Sequence, residues 1–96
     1  MISLNSTVVA VKDQVFSNLG DEAVILHLKK GVYYGLNPTG AFIWNLVQSP
    51  RSAGELHRLL LENYETASDR CEKDLADLLN ELAKEGLVEV TDAASA

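Results

Sequence analysis

The stretch that most constrains the fold is Glu22–Trp44, where two short apolar runs precede the start of a helix. The runs Ala23–Leu28 and Val32–Leu36 are rich in aliphatic, β-branched and aromatic residues, a composition typical of strands. Between them lies Lys29-Lys30-Gly31, and Gly31 can adopt at little cost the positive φ angle that a tight turn needs. The stretch therefore predicts an antiparallel hairpin.

The second strand of this hairpin leads directly into a helix. Asn37 is a favoured N-cap residue, and Pro38 suits the first helical position because the N–H that it lacks would have no partner there. A proline disfavours helical geometry in the residue before it, so the helix is expected to span Pro38–Gln48 and to end before Ser49-Pro50.

The sequence before the hairpin predicts two more short strands, Thr7–Val11 and Val15–Leu19. Turn-forming residues separate Val15–Leu19 from Ala23–Leu28, so we expect these two runs to pair as neighbours. The expected result is a three-stranded antiparallel sheet with Val32–Leu36 at its edge.

Two further helices are predicted after the hairpin unit. Ser52 and Glu55 form a capping-box pattern at the start of one of them. The other covers about Asp69–Glu85, carries apolar residues at helical spacing, and precedes Gly86, which suits the position after a helix end. A short extended run, Leu87–Val90, follows, and residues 91–96 are expected to fray.

This order of elements predicts an α+β fold, a winged helix-turn-helix in which a three-stranded sheet precedes three helices. Ninety-six residues suffice for one domain, with its ordered core over about residues 7–90. One set of apolar residues is expected to share that core: Trp44, Leu46, Val47, Leu75, Leu79 and Leu82.

Composition limits the classes of function. At 47% apolar and a formal net charge of −6, the chain is expected to be globular, acidic and poorly suited to phosphate-rich partners. No apolar run approaches the roughly 20 residues that span a bilayer, and no basic segment precedes an apolar one at the start, as in a signal peptide. A single cysteine fits a reducing compartment. We therefore expect a cytoplasmic protein with no membrane segment.

Neither an enzyme nor a nucleic-acid-binding protein is favoured by the sequence. Glycine-rich phosphate loops and His/Cys clusters at metal-ligand spacing are both missing from it, so no catalytic residue, metal site or cofactor is predicted. Cys71 lies on the apolar stripe of the third helix, which indicates a buried, unreactive thiol. A DNA-binding regulator remains an alternative, but residues 69–85 hold six acidic residues against three basic ones, a charge that repels phosphates.

Peptide binding fits the pattern better. The edge strand Val32–Leu36 contains no proline, so its unpaired N–H and C=O groups can accept an extended peptide as a further strand. Tyr33 and Tyr34 are neighbours in this strand and must point to opposite faces of the sheet. One of them is therefore expected to face the core or a groove, and the other solvent.

Two segments resemble the PqqD family, whose small domains bind the leader segments of ribosomally made peptides and are known as RiPP recognition elements. The first is the hairpin ending in Leu36-Asn37-Pro38-Thr39-Gly40, followed by a helix that contains Trp44. The second is the third helix with its exit at Glu85-Gly86-Leu87-Val88. Together the resemblance covers about residues 14–90.

The resemblance implies a groove between the third strand of the hairpin sheet and the last helix, in which a leader peptide docks. Carried over by position, the expected strand residues are Lys30, Gly31, Val32, Tyr33, Tyr34, Gly35 and Leu36, and the expected helix residues are Cys71, Asp74, Leu75 and Leu78. It further implies a free-standing recognition protein, most like those of lasso peptide biosynthesis, which presents the precursor to a separate cysteine leader peptidase or another maturation enzyme. A partner in coenzyme synthesis and a small scaffold domain stay open as alternatives.

Overall fold

The computed structural model describes residues 4–64 and 68–92, with six strands and three helices in those ranges. In chain order the elements are β1 (Ser6–Ala10), β2 (Gln14–Leu19), β3 (Glu22–His27), β4 (Val32–Leu36), α1 (Pro38–Leu46), β5 (Arg51–Ser52), α2 (Ala53–Asn63), α3 (Ser68–Lys84) and β6 (Val88–Asp92). The fold is therefore α+β, as predicted.

The first sheet is built from three consecutive strands in the order β2-β3-β4. All its pairs are antiparallel, and Ile25 in the middle strand lies opposite Phe16 on one side and Tyr34 on the other. The predicted pairing of β2 with β3 is confirmed, and so is the edge position of β4.

A second three-stranded sheet, β5-β1-β6, corrects the prediction of a single sheet. The first strand pairs with the last one from Ser6 opposite Asp92 to Ala10 opposite Val88, and also with the two-residue strand β5. β6 therefore extends through Asp92, further than predicted, and residues 93–96 of the expected frayed end lie outside the described residues. Pairing between opposite ends of a chain leaves no local turn signal, which is why the sequence did not predict it.

Side-chain caps fix the starts of the first two helices. The Asn37 Oδ1 atom accepts a hydrogen bond from the Gly40 N–H at 2.8 Å, and Ser52 Oγ accepts one from the Glu55 N–H at 3.0 Å. In a full capping box, the Glu55 carboxylate would accept a hydrogen bond from the N–H of the cap residue, Ser52. Here it accepts one from Arg51 Nη1 instead, at 3.0 Å. α1 ends at Leu46, earlier than predicted.

One core lies beneath both sheets. Five of the six residues expected to share a core are buried in it, and the sixth, Leu46, packs half-buried against its side. Val8 of β1 and Ile25 of β3 belong to the same cluster, so each sheet contributes a fully buried strand residue. The Trp44 ring meets Phe16 edge-on, with ring centroids 5.9 Å apart, which anchors α1 beneath the first sheet.

Candidate functional site

Strand β4 has a partner on one side only among the described residues. It pairs with β3 from Val32 to Leu36, and the order β2-β3-β4 leaves its other edge without a strand. In an antiparallel pair, alternate N–H and C=O groups of an edge strand point away from the partner strand. The free edge of β4 therefore presents backbone donors and acceptors along its length.

The turn before β4 is held by backbone contacts to His27. Gly31 has a φ angle of 64°, in the left-handed region, and its N–H donates to the His27 carbonyl at 2.8 Å. The Lys30 N–H points to His27 Nδ1 at 3.4 Å. His27 is buried, so this histidine serves the hairpin turn.

The two tyrosines of β4 separate onto opposite faces, as the alternation predicts. Tyr33 is 69% exposed, whereas Tyr34 is partly buried and packs against the core. Leu36 lies on the same side as Tyr34 and also packs against the core. The core-facing side of β4 is therefore formed by Tyr34 and Leu36.

A cleft of about 360 Å³ opens immediately after β4, between the start of α1, the end of α2 and the first half of α3. It is lined by Asn37, Thr39, Gly40, Leu60, Tyr64, Cys71, Asp74, Leu75 and Leu78. The four helix residues expected to wall a groove all line this one cleft.

The predicted strand residues do not line the cleft. Its facing wall is formed by Asn37, Thr39 and Gly40, which follow directly after the strand. Gly40 packs tightly, since a Cβ atom there would lie 3.3 Å from both Asn37 Oδ1 and Leu36 Cβ. From the sequence, Asn37 was interpreted only as a helix cap, and none of the three was predicted as cleft wall, although the start of α1 places them there.

The cleft is largely apolar, with polar groups at its rim. Leu60 and Leu75 are buried, and the Tyr64 ring meets Phe42 edge-on at 5.6 Å, which holds it at the cleft edge. Leu60 of α2 and Tyr64, which directly follows α2, were also missed as cleft residues, because their apolar spacing signals only a core-facing stripe. Such a surface can take up apolar side chains from a partner.

Cys71 lies at the floor of the cleft, 5% exposed. Burial raises the pKa of its thiol, and the neighbouring Asp74 carboxylate raises it further. The thiol is therefore protonated near neutral pH and is a weak nucleophile. Asp74 is itself exposed at the rim, with its carboxylate 3.8 Å from the Arg70 guanidinium, a surface pair of small energetic value.

Away from the cleft, two hydrogen bonds join the hairpin to the end of α3. The Tyr34 hydroxyl donates to Glu85 Oε1 at 3.0 Å, and Lys30 Nζ donates to the Glu85 carbonyl at 2.8 Å. Partial burial raises the pKa of Tyr34, and the hydrogen bond to the Glu85 carboxylate raises it further, which keeps the hydroxyl protonated as a donor.

Other kinds of site are not found in the part of the chain that the structure describes. No three His, Cys, Asp or Glu residues of ranges 4–64 and 68–92 gather as ligands for a metal ion. Over the same ranges, every helix is too short or too polar to cross a membrane.

Two solved structures have a fold similar to that of this chain. A structure of TbiB1 in complex with the TbiA(beta) leader peptide matches with a TM-score of 0.80 and 32% sequence identity, over 84% of this chain and 94% of that one. A lasso peptide synthetase B1 complexed with the leader peptide matches with a TM-score of 0.75 and 23% identity, over 85% of this chain and 96% of that one, and shows the fold alone.

The family comparison covers most of the chain. Among curated proteins, none matches the sequence closely enough to indicate a relative. The model of the family described as coenzyme PQQ synthesis protein D (PqqD) matches residues 22–88, from the start of β3 to the start of β6. The match includes the edge strand, all three helices and every residue of the cleft. The chain belongs to the PqqD family.

Proposed function

We propose that this protein is a non-catalytic RiPP recognition element that binds the leader segment of a ribosomally made precursor peptide. The observation that carries the proposal is the free edge of β4, which runs directly into an apolar cleft walled by α3. An extended peptide can pair with the free edge and place alternate side chains in the cleft. TbiB1, a structural relative at 32% identity, holds a leader peptide.

The two parts of this site have separate tasks. Backbone hydrogen bonds to β4 supply affinity without reading sequence, because every residue of the peptide except proline offers an N–H and a C=O. The cleft supplies selectivity through Leu75, Leu78 and Cys71, which accept apolar side chains. The proposed binding residues are the edge strand with its preceding turn, residues 30–36, together with the cleft wall on α3.

The partner is proposed to be the leader of a lasso peptide precursor, with a separate cysteine leader peptidase or another maturation enzyme acting on the bound peptide in the cytoplasm. The complex of TbiB1 with a leader peptide supports a leader-peptide partner, and the resemblance to the free-standing recognition proteins of lasso peptide clusters favours a lasso precursor. The runner-up is a peptide partner in coenzyme PQQ synthesis, which the family description favours. We also propose that the fold is a winged helix-turn-helix, with α2 and α3 as its helical pair.

Calorimetric titration tests the proposal. The probes are the TbiA(beta) leader peptide, a PQQ precursor peptide, the leader of any short precursor encoded beside this chain's gene, and duplex DNA as control. We expect one lasso leader to bind, with only a mild decrease in affinity between low and moderate salt, because hydrogen bonding and apolar burial dominate. DNA binding would instead decrease steeply with salt. Binding of DNA alone, or of no peptide, would refute the proposal.

A mass measurement tests the non-catalytic part. Incubation of the protein with its precursor should leave the mass of the peptide unchanged, since the Cys71 thiol is buried and protonated. Cleavage that disappears in a Cys71→Ala variant would show instead that the thiol is a nucleophile. Cys71→Ser is the matched variant, because it keeps the size of the side chain.

A further inference from the structure

Helix α3 and strand β4 run alongside each other in opposite directions. Cys71, near the start of α3, shares the cleft with Asn37, which follows the end of β4. Glu85, just beyond the end of α3, contacts Tyr34 in β4 and Lys30 in the turn before it. The space between strand and helix therefore has two different ends, an open cleft at Asn37 and a hydrogen-bonded bridge at Tyr34.

Glu85 is held in place by the way that α3 ends. The Gly86 N–H donates to the Ala83 carbonyl at 3.0 Å, and the Leu87 N–H donates to the Leu82 carbonyl at 2.9 Å. With a φ angle of 74° at Gly86, this is a Schellman motif. Leu87 is fully buried after the turn, which fixes the motif to the core. The Glu85 carboxylate is thus presented from a rigid turn.

Tyr34 is fixed from the other side. Its ring is partly buried on the core-facing side of β4, opposite the buried Ile25, and its hydroxyl reaches the Glu85 carboxylate at 3.0 Å. Lys30 adds a second contact, to the carbonyl of the same residue at 2.8 Å. Two hydrogen bonds from the hairpin therefore converge on one residue of the helix end.

We propose that the Tyr34–Glu85 bridge determines which leader peptides fit, by closing this end of the groove to large side chains. The inference rests on the proposed function, with the peptide added antiparallel to β4, as in the rest of this sheet. Such a peptide starts beside Asn37 and ends beside Val32. Its inward side chain near the cleft can be large and apolar, whereas its inward side chain beside Tyr34 must be small.

The alternation of side chains sets the spacing of these two positions. Inward-facing residues of a strand recur every second residue, so the small position follows the large one at an even spacing toward the C-terminus of the peptide. The substrate class is therefore an extended peptide with a large apolar residue followed, two or four residues later, by a small one. Outward positions, next to Tyr33, carry no such limit.

A tryptophan scan of the bound leader tests this rule by calorimetry. Against the wild-type protein, we expect tryptophan to be tolerated at the position in the cleft and to weaken binding about tenfold at the inward position beside Tyr34, the usual size of an overpacking penalty. In Tyr34→Ala the penalty should decrease to about twofold or less, because the ring is gone.

Matched variants distinguish the effect of the Tyr34–Glu85 hydrogen bond on leader binding from general effects of a substitution on the strand. Tyr34→Phe and Glu85→Ala each remove the hydrogen bond and should relieve part of the penalty. Glu85→Gln keeps an acceptor oxygen, and Val15→Ala changes an exposed residue on β2, the strand furthest from the free edge of β4, so both should reproduce the wild-type scan. Circular dichroism checks that each variant is folded.

The outcomes distinguish the two proposals. If no leader binds the wild-type protein, the proposed function fails, and this inference fails with it. If the leader binds but the scan shows no inward position that rejects tryptophan, the leader-binding role stands and the bridge does not select. If the tryptophan penalty beside Tyr34 persists unchanged in both Tyr34→Phe and Tyr34→Ala, the leader-binding role also stands and the bridge does not select.

Discussion

The two sheets of this protein are built in different ways and do different things. The β2-β3-β4 sheet joins consecutive strands and leaves an edge free, with Val15 and Tyr33 exposed on its outer face. The β5-β1-β6 sheet joins strands from distant parts of the chain and encloses β1 between two partners. We infer that the sheet of distant strands secures the fold, whereas the sheet of consecutive strands offers its β4 edge for recognition.

Proline in the enclosed strand should give the largest effect. Val8 lies opposite both Arg51 and Val90 and is fully buried. Val8→Pro removes a ladder N–H from a central strand and should destabilise the protein by at least about 3 kcal/mol, measured by denaturant unfolding. Val8→Ala is the control for loss of the side chain alone. Near-wild-type stability of the proline variant would show that this sheet does not secure the fold.

The core beneath both sheets gives the next effect. Leu79 of α3 is fully buried, and Leu79→Ala should lower the free energy of unfolding by about 2–5 kcal/mol through lost burial and a residual cavity. Val15→Ala, at an exposed position of β2, should change it by about 0.5 kcal/mol or less. Equal effects at the two positions would contradict the assignment of the core.

Proline in the edge strand β4 should separate binding from folding. Neighbouring N–H groups of β4 point to opposite edges, so Tyr33→Pro and Tyr34→Pro remove one outward and one inward donor. The outward variant should stay folded and bind its leader about tenfold more weakly, whereas the inward variant should lose the fold as well. Calorimetry and circular dichroism measure the two effects, with Tyr33→Ala and Tyr34→Ala as controls. Two folded variants that bind like the wild type would exclude strand addition.

The smallest effect concerns charge at the rim of the cleft. Asp74 is exposed, so a Lys or Arg of the leader near it should gain only about 0–1 kcal/mol, as surface ion pairs do. Asp74→Asn should therefore weaken binding of such a leader by about fivefold at most, and less at high salt. Glu72→Gln, also on α3, is the control for net charge. A much larger loss at Asp74 would mean that the carboxylate is desolvated on binding.

The fold was predictable where contacts are local. The hairpin around Gly31, the Asn37 cap and the apolar stripe that contains Leu79 each have a signal within a few residues, and each was predicted. The pairing of Ser6 with Asp92 depends on strands that share no turn, so periodicity could not reveal it. The extended run at Val88 was visible in the sequence, but its partner was not.

The candidate site was predictable in part for a similar reason. Helical spacing placed Cys71, Leu75 and Leu78 on one face, and the structure brings all three into one cleft. Thr39 lines the same cleft because the chain turns directly from β4 into α1, a tertiary consequence of the cap. The hydrogen bond between Tyr34 and Glu85 joins residues far apart in sequence, and no pattern of residue types predicts such a pair.

The pairing of the first strand with the last also affects synthesis of the chain. β1 leaves the ribosome before the other described strands, yet β6, with which it pairs along its whole length, is made after all of them. At about 5–20 residues per second, β1 waits several seconds for that partner. The β2-β3-β4 sheet, by contrast, can form as soon as β4 emerges. The central strand of the β5-β1-β6 sheet is thus the one left longest without its main partner on the nascent chain.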